Sequence, residues 1–223
     1  MKDKLLIAID GPAGVGKSTM AKLLAKHLGI LYVDTGAMFR AACLKASREG
    51  IGVSDETAMR AMLQDTRLTF CDVGGARRIL LDGEDVEDAI RSPEISRLVP
   101  EVAAVPAVRE RMCDLQRDIA REQPLVMDGR DIGVKVLPNA DYKFFLTASA
   151  QKRAQRRYDE LREKGKDVSF QEVLEDMTAR DERDTTREAS PLRAAEDAIV
   201  IDTGDMGIDQ VLRTLLSHME DAL

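Results

Sequence analysis

Residues 5–19 contain the side chains whose types and spacing most directly suggest chemistry. An apolar run ends at Asp10, a glycine-rich loop follows, and Lys17 and Ser18 begin an amphipathic helical pattern. Glycines allow the backbone to wrap closely around phosphate groups, and the first N–H groups of a helix attract an anion. The lysine can reach the β- and γ-phosphates of a nucleoside triphosphate, and the serine hydroxyl can ligate Mg²⁺. The residues expected to contact the triphosphate are Gly11, Pro12, Ala13, Gly14, Val15, Gly16, Lys17, Ser18 and Thr19. An ordinary glycine-rich turn is the less favoured interpretation.

Charged residues also follow two other predicted strands. Thr35 is a candidate cap of the helix after the second strand, and Arg40 begins an otherwise apolar stretch, where a guanidinium needs an anionic partner. A later apolar strand ends in Asp128, where phosphate-loop proteins often place an acid linked to Mg²⁺, and Arg130 and Asp131 follow at once. Ligands bind outside the carboxyl ends of parallel strands, so we favour a functional role over a simple turn.

Arginines recur at helical spacing in two rows near the carboxyl-terminal third of the chain. The first row is Arg153, Arg156 and Arg157, and the second is Arg180, Arg183 and Arg187, with Asp181 and Asp184 beside it. Transfer of a phosphoryl group between two anions needs positive charge near both phosphates. The rows flank a break at Gly165 and therefore predict a lid that closes over the phosphates. Surface salt bridges would explain some of them equally well.

Composition limits the classes of protein to consider. The chain has 223 residues, of which 44% are hydrophobic and 33% charged, and a net charge of −7. A duplex nucleic acid requires a basic face, so no nucleic-acid partner is expected. Three scattered cysteines are typical of reduced thiols and predict a cytoplasmic protein. No apolar run is long enough for a membrane span, so no membrane association is expected.

Alternating apolar and helical patterns predict an α/β fold. The predicted strands are 5–9, 30–33, 125–127, 142–147 and 198–201, and the predicted helices are 17–28, 37–49, 106–122, 149–163, 170–183 and 208–219. This alternation is typical of a parallel sheet with helices on both faces. Residues 67–87 differ, because Gly74-Gly75 and Asp82-Gly83 indicate hairpin turns of a small antiparallel meander. Such an insertion is either a lobe on the substrate side of the site or a hairpin without a functional role.

Together these residues resemble the bacterial-type cytidylate kinases of the P-loop nucleoside monophosphate kinase superfamily. The motifs that carry the resemblance are residues 9–19, 34–40, 81–86, 128–133 and 180–184. It covers essentially the whole chain and implies a P-loop NTPase fold with an NMP-binding insert and a mobile lid. The implied core is 1–62, 104–150 and 188–223, the insert 63–103 and the lid region 151–187. The implied reaction transfers the γ-phosphoryl group of ATP to CMP or dCMP with Mg²⁺, giving ADP and CDP or dCDP, and we expect a monomer.

The resemblance also implies roles for individual residues. The substrate-binding set would be Thr35, Arg40, Arg109, Arg130, Asp131, Arg180, Asp184 and Arg187. The catalytic set would be Lys17, Arg153, Arg157, Arg183 and Asp128, and Ser18 would ligate the metal. Arg180 and Asp184 would face the cytosine, and Asp131 the sugar. Thr35 replaces a serine that is common in the family and keeps its hydroxyl. Pro100 stands where the family often has a serine close to the cytosine.

Two alternatives to strict CMP specificity stay open. Pro100 offers no donor side chain, so a pyrimidine kinase that accepts UMP as well as CMP is one of them. A small-metabolite kinase shares the phosphate loop and a lid, although such chains are usually shorter. A regulatory GTPase would need a guanine-reading Asn-Lys-x-Asp segment, which the sequence lacks.

The lid itself is expected to move. We expect Arg153 and Arg157, with Arg183 nearby, to lie far from the donor phosphates until both nucleotides bind, with Gly165 as the hinge. The reason is that an open site holding ATP and water would hydrolyse ATP, so closure must exclude water and deliver positive charge together.

Overall fold

The computed structural model describes residues 4–73, 76–187 and 189–219. The strands are β1 (Leu6–Asp10), β2 (Leu31–Asp34), β3 (Leu68–Val73), β4 (Ala76–Leu81), β5 (Glu84–Asp85), β6 (Leu125–Gly129), β7 (Tyr142–Thr147) and β8 (Ile199–Asp202). The α-helices are α1 (Lys17–Leu28), α2 (Thr35–Arg48), α3 (Glu56–Gln64), α4 (Pro93–Val102), α5 (Pro106–Glu122), α6 (Ala150–Glu163), α7 (Phe170–Thr186) and α8 (Ile208–Ser217). Every strand and helix that the alternation predicted is present, and the α/β prediction is confirmed.

A parallel sheet forms the base of the first unit of the chain, residues 1–32 and 123–223. Its strand order is β2-β6-β1-β7-β8, and β1 pairs in parallel with both β6 and β7. The strands are short apolar runs because both of their faces are covered. Ile7, Leu24, Phe144 and Leu215 are buried in one core that includes strands, α1 and α8. Since β1 is the central strand, the loop after it leaves the sheet beside the ends of β6 and β7.

The α6–α7 pair has a small core of its own within the same unit. Val173 and Met177 of α7 pack with Ala154 of α6. Helix α6 ends where Gly165 adopts a left-handed φ of 70° and donates its N–H to the Arg162 carbonyl. This is a glycine-terminated helix end. The predicted break at Gly165 is therefore confirmed.

The second unit, residues 33–122, contains α2 to α5 and a three-stranded antiparallel sheet. Strands β3 and β4 pair from Leu68 opposite Leu81 onwards. The β4–β5 connection places Asp82 and Gly83 at positive φ of 52° and 90°, as a tight hairpin turn requires. The antiparallel meander is thus confirmed, whereas the Gly74-Gly75 turn lies outside the described residues.

Helices α3 and α4 were not predicted from the sequence. Helix α3 is short, and Asp55 caps it by accepting the Ala58 N–H at 2.9 Å. Helix α4 begins with a Ser92 cap and Pro93, and it contains Pro100 in its interior. An interior proline removes one helical hydrogen bond, which obscured the helix in the sequence pattern.

Two general features concern the described residues as a whole. Their helices include none with the length and hydropathy that crossing a bilayer would demand. Within the same part of the chain, Cys43, Cys71 and Cys113 form no disulfide.

Candidate active site

The loop between β1 and α1 depends on glycine because other parts of the first unit approach its backbone closely. Gly11 has a φ of 146°, and a Cβ there would lie 2.1 Å from the Leu146 carbonyl oxygen of β7. A Cβ on Gly14 would lie 2.6 Å from the Met177 methyl group of α7. At Gly11 the obstacle is the backbone of β7, so no side chain fits there without a shift of β1 against β7. The loop is therefore held by the sheet at one point and contacted by α7 at another.

Lys17 is a buried cation at the start of α1. Its side chain is 6% exposed, and its Nζ donates to the Pro12 carbonyl oxygen at 2.6 Å. Burial, together with the nearby charges of Arg130 and Arg180, lowers the pKa of Lys17 well below its ordinary value. Arg130 and Arg180 thus place positive charge near Lys17, which the charges of Asp128 and Asp10 partly offset. A bound polyanion would interact favourably with these cations.

Asp128 links the end of β6 to the loop. It is buried, and its two carboxylate oxygens accept hydrogen bonds from the Ser18 hydroxyl at 2.8 Å and the Tyr32 hydroxyl at 2.9 Å. A serine hydroxyl and a carboxylate are therefore adjacent at the carboxyl edge of the sheet. Both are hard oxygen ligands of the kind that Mg²⁺ prefers. The predicted metal residue and the predicted acid are brought together.

A second group of ionised side chains joins the segment after β6 to α7. Arg130 Nε donates to Asp184 Oδ2 at 2.8 Å, and Arg187 Nη1 lies 3.6 Å from Asp184 Oδ1. Arg187 Nη2 also lies 4.0 Å from Asp131 Oδ1. Burial raises the pKa of Asp184, but the charges of Arg130, Arg180 and Arg187 outweigh it, so the pKa lies below its ordinary value. Asp184 is consequently an ionised acceptor at neutral pH.

The arginines of α6 have different surroundings. Arg153 is buried and donates to the Ala148 carbonyl at 2.9 Å and the Ala13 carbonyl at 3.0 Å, and it lies 2.6 Å from Asp181 Oδ2. Arg153 thus lies against the phosphate loop, and the expectation that without nucleotides it lies far from the place of the donor phosphates is wrong. The physical reason is that a buried guanidinium needs acceptors, and the carbonyls of Ala148, after β7, and Ala13, in the loop, supply them.

Three other arginines of the two rows, Arg156, Arg157 and Arg183, contact separate partners. Arg156 donates to the carbonyls of Thr203 and Gly204. Arg157 is exposed and pairs with Glu160 at 2.7 Å. Arg183 is exposed and donates to the Ala179 carbonyl of its own helix at 3.1 Å. Arg156 is hence a structural residue, whereas Arg157 and Arg183 are available at the surface.

Three predicted substrate residues belong to the second unit. Thr35 is buried in the first turn of α2, but Asp34 caps this helix by accepting the Ala37 N–H at 2.9 Å. The prediction that Thr35 is the cap is therefore wrong, because the carboxylate one residue earlier is the better-placed acceptor. Arg40 of α2 folds back so that its Nη1 would lie 3.1 Å from a Cβ on Gly36.

Arg109 lies on the buried side of α5 in this second unit. Its Nη1 donates to the Ala103 carbonyl at 3.0 Å, and its guanidinium lies 5.4 Å from the centre of the Phe39 ring. A guanidinium over an aromatic face is a favourable cation–π contact. These contacts hold the α5 arginine in a defined position.

Asp10 is a site residue that sequence reasoning missed. It is 4% exposed and accepts hydrogen bonds from the backbone N–H groups of Ile132 at 2.9 Å and Gly133 at 2.7 Å. Burial raises the pKa of Asp10 to about 6, although both hydrogen bonds and the charge of Lys17 act in the opposite direction. The only signal in the sequence was a carboxylate at the end of a buried strand, directly before the glycine-rich loop.

The fold and the site define a class. A glycine-rich phosphate loop after the central strand of a parallel sheet, a buried lysine, and an acid at the end of the neighbouring strand are the features of a P-loop kinase. The chain belongs to the cytidylate kinase family, whose family model matches residues 7–221.

Individual relatives agree with this assignment. Cytidylate kinase from Desulfitobacterium hafniense (strain Y51) is 52% identical over 221 residues, which cover 99% of this chain and 95% of the relative. Cytidylate kinase from Caldicellulosiruptor bescii is 48% identical over 213 residues, covering 96% and 94%. A crystal structure of an uncharacterised protein from Eubacterium ventriosum matches with a TM-score of 0.53 at 14% identity, covering 98% of this chain and 99% of that one. This last likeness concerns the fold alone.

Proposed function

We propose that this protein transfers the γ-phosphoryl group of ATP to the phosphate of CMP or dCMP and releases ADP and CDP or dCDP. Membership of the cytidylate kinase family supports this reaction. The observation that carries the proposal is the buried Lys17 ammonium at the glycine-rich loop, 2.6 Å from the Pro12 carbonyl oxygen, with Arg130 held by Asp184 directly after the neighbouring strand. Cations placed at the loop and after that strand suit a site where a donor and an acceptor phosphate meet.

The donor side is the loop with Lys17. The loop N–H groups would hold the β- and γ-phosphates, and Lys17 would leave the Pro12 carbonyl to contact them. Its ammonium would then gain an anionic partner, which raises its pKa and keeps it charged. The lysine stabilises the negative charge that accumulates on the bridging oxygen as ADP departs.

The acceptor side is the group around Arg130. Arg130 and Arg187 are held by Asp184, so their guanidinium planes are oriented before the acceptor arrives. The acceptor phosphate is already an anion at neutral pH, and its oxygen attacks the γ-phosphorus while the bond to the β–γ bridging oxygen breaks. No strong general base is required, and catalysis consists of positioning and charge neutralisation. Arg40, Arg109 and Thr35 are proposed as further contacts of the monophosphate.

Magnesium is proposed as the cofactor. The Ser18 hydroxyl and the Asp128 carboxylate, 2.8 Å apart, fit a hard cation that takes most of its other ligands from phosphates and water. When bound, the ion neutralises charge on the donor phosphates. Asp128 would hold the serine hydroxyl in place through the hydrogen bond that the structure shows, and Tyr32 would hold Asp128.

Base selection is proposed to depend on Arg180 and Asp184. An ionised Asp184 accepts from the exocyclic amine of cytosine, whereas the carbonyl of uracil at the same place would face the carboxylate unfavourably. Arg180, one turn earlier on α7, would donate to the cytosine carbonyl and ring nitrogen. Loss of a hydrogen bond to a charged group weakens recognition by roughly ten- to a hundredfold.

Several narrower expectations stay predictions alongside this function. They are the division into core, insert 63–103 and lid 151–187, a monomeric state, cytoplasmic localisation and the absence of a nucleic-acid partner. Arg153, Arg157 and Arg183 stay candidates for contact with the phosphates.

A coupled assay of ADP release across several acceptors tests the proposal. The acceptors are CMP, dCMP, UMP, AMP, shikimate and gluconate, each at saturating ATP. We expect CMP and dCMP to give the highest kcat/KM, at least about tenfold above UMP. Equal kcat/KM values for CMP and UMP would indicate a pyrimidine kinase of broader specificity instead. Turnover with shikimate or gluconate alone would indicate a small-metabolite kinase.

A further inference from the structure

One buried carboxylate joins two chain segments that are far apart in sequence. Asp10 ends β1, and its two oxygens accept the N–H groups of Ile132 and Gly133, at 2.9 and 2.7 Å. All three groups are buried in the first unit. Each oxygen therefore has its own backbone donor, and both bonds are charge-assisted when the carboxylate is ionised.

The two joined segments are the ones proposed to hold the two substrates. Asp10 immediately precedes Gly11, the first residue of the phosphate loop. Ile132 and Gly133 immediately follow Arg130 and Asp131, which belong to the proposed acceptor side. A shift of the N–H groups away from the carboxylate would therefore move Arg130 and Asp131 relative to the loop.

The segment after Asp131 is also held from its other side. It forms a π-helical turn (Ile132–Val136), in which the Leu137 N–H donates to the Ile132 carbonyl at 2.7 Å. A Cβ on Gly133 would lie 3.2 Å from Lys143 Cδ and 3.4 Å from Asp10 Oδ2. The turn is thus enclosed between the Asp10 carboxylate and the Lys143 side chain. Lys143 is fixed in turn by two hydrogen bonds to Asp197, at 2.7 and 2.9 Å.

Burial of this carboxylate is unfavourable in itself. The site must accommodate anionic phosphates, and the nearby charge of Asp131 adds further repulsion. An apolar residue at the end of a buried strand would avoid that penalty. The carboxylate does, however, fix the positions of two N–H groups. These groups lie at the start of a helical turn, where the turn itself provides no acceptor.

We propose that Asp10 is a positioning residue that sets the place of Arg130 and Asp131 relative to the phosphate loop. This inference rests on the proposed transfer from ATP to CMP and assigns a function in it to a residue outside the substrate-contact set. Asp10 would touch neither substrate, and it would act through the turn that follows Asp131.

The test replaces Asp10 by Asn and uses Asp141→Asn as the matched control. An amide keeps one acceptor but presents a donor to the second N–H, so one of the two bonds is lost. Asp141 Oδ2 also accepts a backbone N–H, from Leu6 at 2.9 Å, at the opposite end of β1. Both variants thus replace by an amide a carboxylate that accepts a backbone N–H at one end of β1. Only Asp10 accepts an N–H on each of its two oxygens and lies beside the loop, whereas Asp141→Asn keeps an oxygen for the Leu6 N–H.

For Asp10→Asn we expect kcat/KM for CMP to fall by about tenfold or more, as for the loss of a hydrogen bond to a charged acceptor. The Kd for ATP in calorimetry should change by less than about threefold, because the loop glycines and Lys17 are intact. Asp141→Asn should change kcat/KM for CMP and the Kd for ATP by less than about threefold, even if it lowers Tm by as much as Asp10→Asn does. A folded Asp10→Asn protein with normal kcat/KM for CMP, or equal losses in both variants, would overturn the proposal.

A second measurement and a second variant make the result independent of activity and of folding failure. Amide hydrogen exchange at Ile132 and Gly133 should speed up in Asp10→Asn and stay unchanged in Asp141→Asn. Gly133→Ala crowds the same contact while it keeps Asp10, and it should reproduce the loss for CMP. Unchanged exchange at both amides would refute the positioning role. If the wild-type protein shows no transfer to CMP, the proposed function fails, while the exchange data still report whether Asp10 holds the turn.

Discussion

Replacement of Lys17 by Met should separate stability from activity. Lys17 is 6% exposed, faces Arg130 and Arg180, and has only a backbone carbonyl as its described hydrogen-bond partner. Methionine has a similar length and no charge, so it removes the burial penalty and the repulsion from Arg130 and Arg180. These together outweigh the attraction to Asp128 and Asp10, because the pKa of Lys17 lies well below its ordinary value. We therefore expect Lys17→Met to be at least as stable as the wild type while phosphoryl transfer collapses.

The size of the stability change follows from two opposing effects. Replacing a buried charge by an apolar side chain is neutral or stabilises by about 1–4 kcal/mol. The Pro12 carbonyl loses its donor, which costs about 1–3 kcal/mol if water does not replace it. When water replaces that donor, the first effect alone remains, and the net change is between about 0 and 4 kcal/mol in favour of the variant. At roughly 2–4 °C per kcal/mol for a chain of this size, Tm should then stay constant or rise by up to about 15 °C.

The stability difference between the wild type and Lys17→Met should depend on pH. Because the pKa of Lys17 is lowered in the folded state, the unfolded chain binds more protons between the two pKa values. Wild-type stability therefore rises with pH across that interval, and the variant lacks this contribution. The advantage of Lys17→Met should shrink as the pH approaches the ordinary lysine value of about 10.4.

Thermal unfolding and the coupled assay measure both parts of this prediction. Lys26→Met, an exposed residue of the same helix, is the control for removal of one positive charge. It should retain activity and show no comparable gain in Tm. Adding MgATP should raise the Tm of the wild type and of the control more than that of Lys17→Met. A strongly destabilised Lys17→Met protein, or one with normal turnover, would refute the reasoning about this site.

Three further predictions concern single residues. Asp184→Asn removes the ionised acceptor, so the ratio of kcat/KM for CMP to kcat/KM for UMP should fall by roughly ten- to a hundredfold. An unchanged ratio would show that Asp184 does not select the base. Gly11→Ala should destabilise the protein by more than about 3 kcal/mol in denaturant unfolding, because its Cβ meets the Leu146 carbonyl at 2.1 Å, and wild-type stability would contradict that geometry. Arg157→Ala should lower kcat with little change in ATP affinity if the exposed arginine reaches the phosphates, and weakened ATP binding at normal kcat would show a static binding residue.

The elements of the sheet could be predicted because their signals are local. The run from Leu6 to Ile9 is apolar on both faces, and the glycine spacing before Lys17 allows only a tight loop followed by a helix. The turn at Asp82-Gly83 carries its own backbone requirement in its residue types. Such features need no knowledge of distant contacts, so periodicity and turn chemistry are sufficient.

The missed helices had competing local signals. In α4, the Ser92-Pro93 pair is a typical helix start, but Pro100 argues for a break eight residues into the segment. The helix persists because Ile95 and Val102 are buried in the second unit, and packing outweighs the lost hydrogen bond. Tertiary contacts of this kind cannot be inferred from the segment alone.

The surroundings of individual charged residues could not be predicted for the same reason. Spacing groups Arg153, Arg156 and Arg157 together, yet Arg153 is buried against the phosphate loop, and Arg156 binds carbonyls after β8. The hydrogen bonds of Asp10 reach residues more than a hundred positions away. Residue type showed that charge was needed near the phosphates, but only the packed structure shows which charges face the loop.

Transfer of a radiolabelled γ-phosphate from ATP tests the central claim most directly. With CMP as acceptor, we expect the label in the β-phosphate of CDP, in proportion to ADP formed, and no such product from Lys17→Met. UMP should give far less labelled diphosphate at the same concentration. Label recovered as inorganic phosphate, or in any acceptor other than a cytidine nucleotide while CDP stays unlabelled, would contradict a cytidylate kinase reaction at this site.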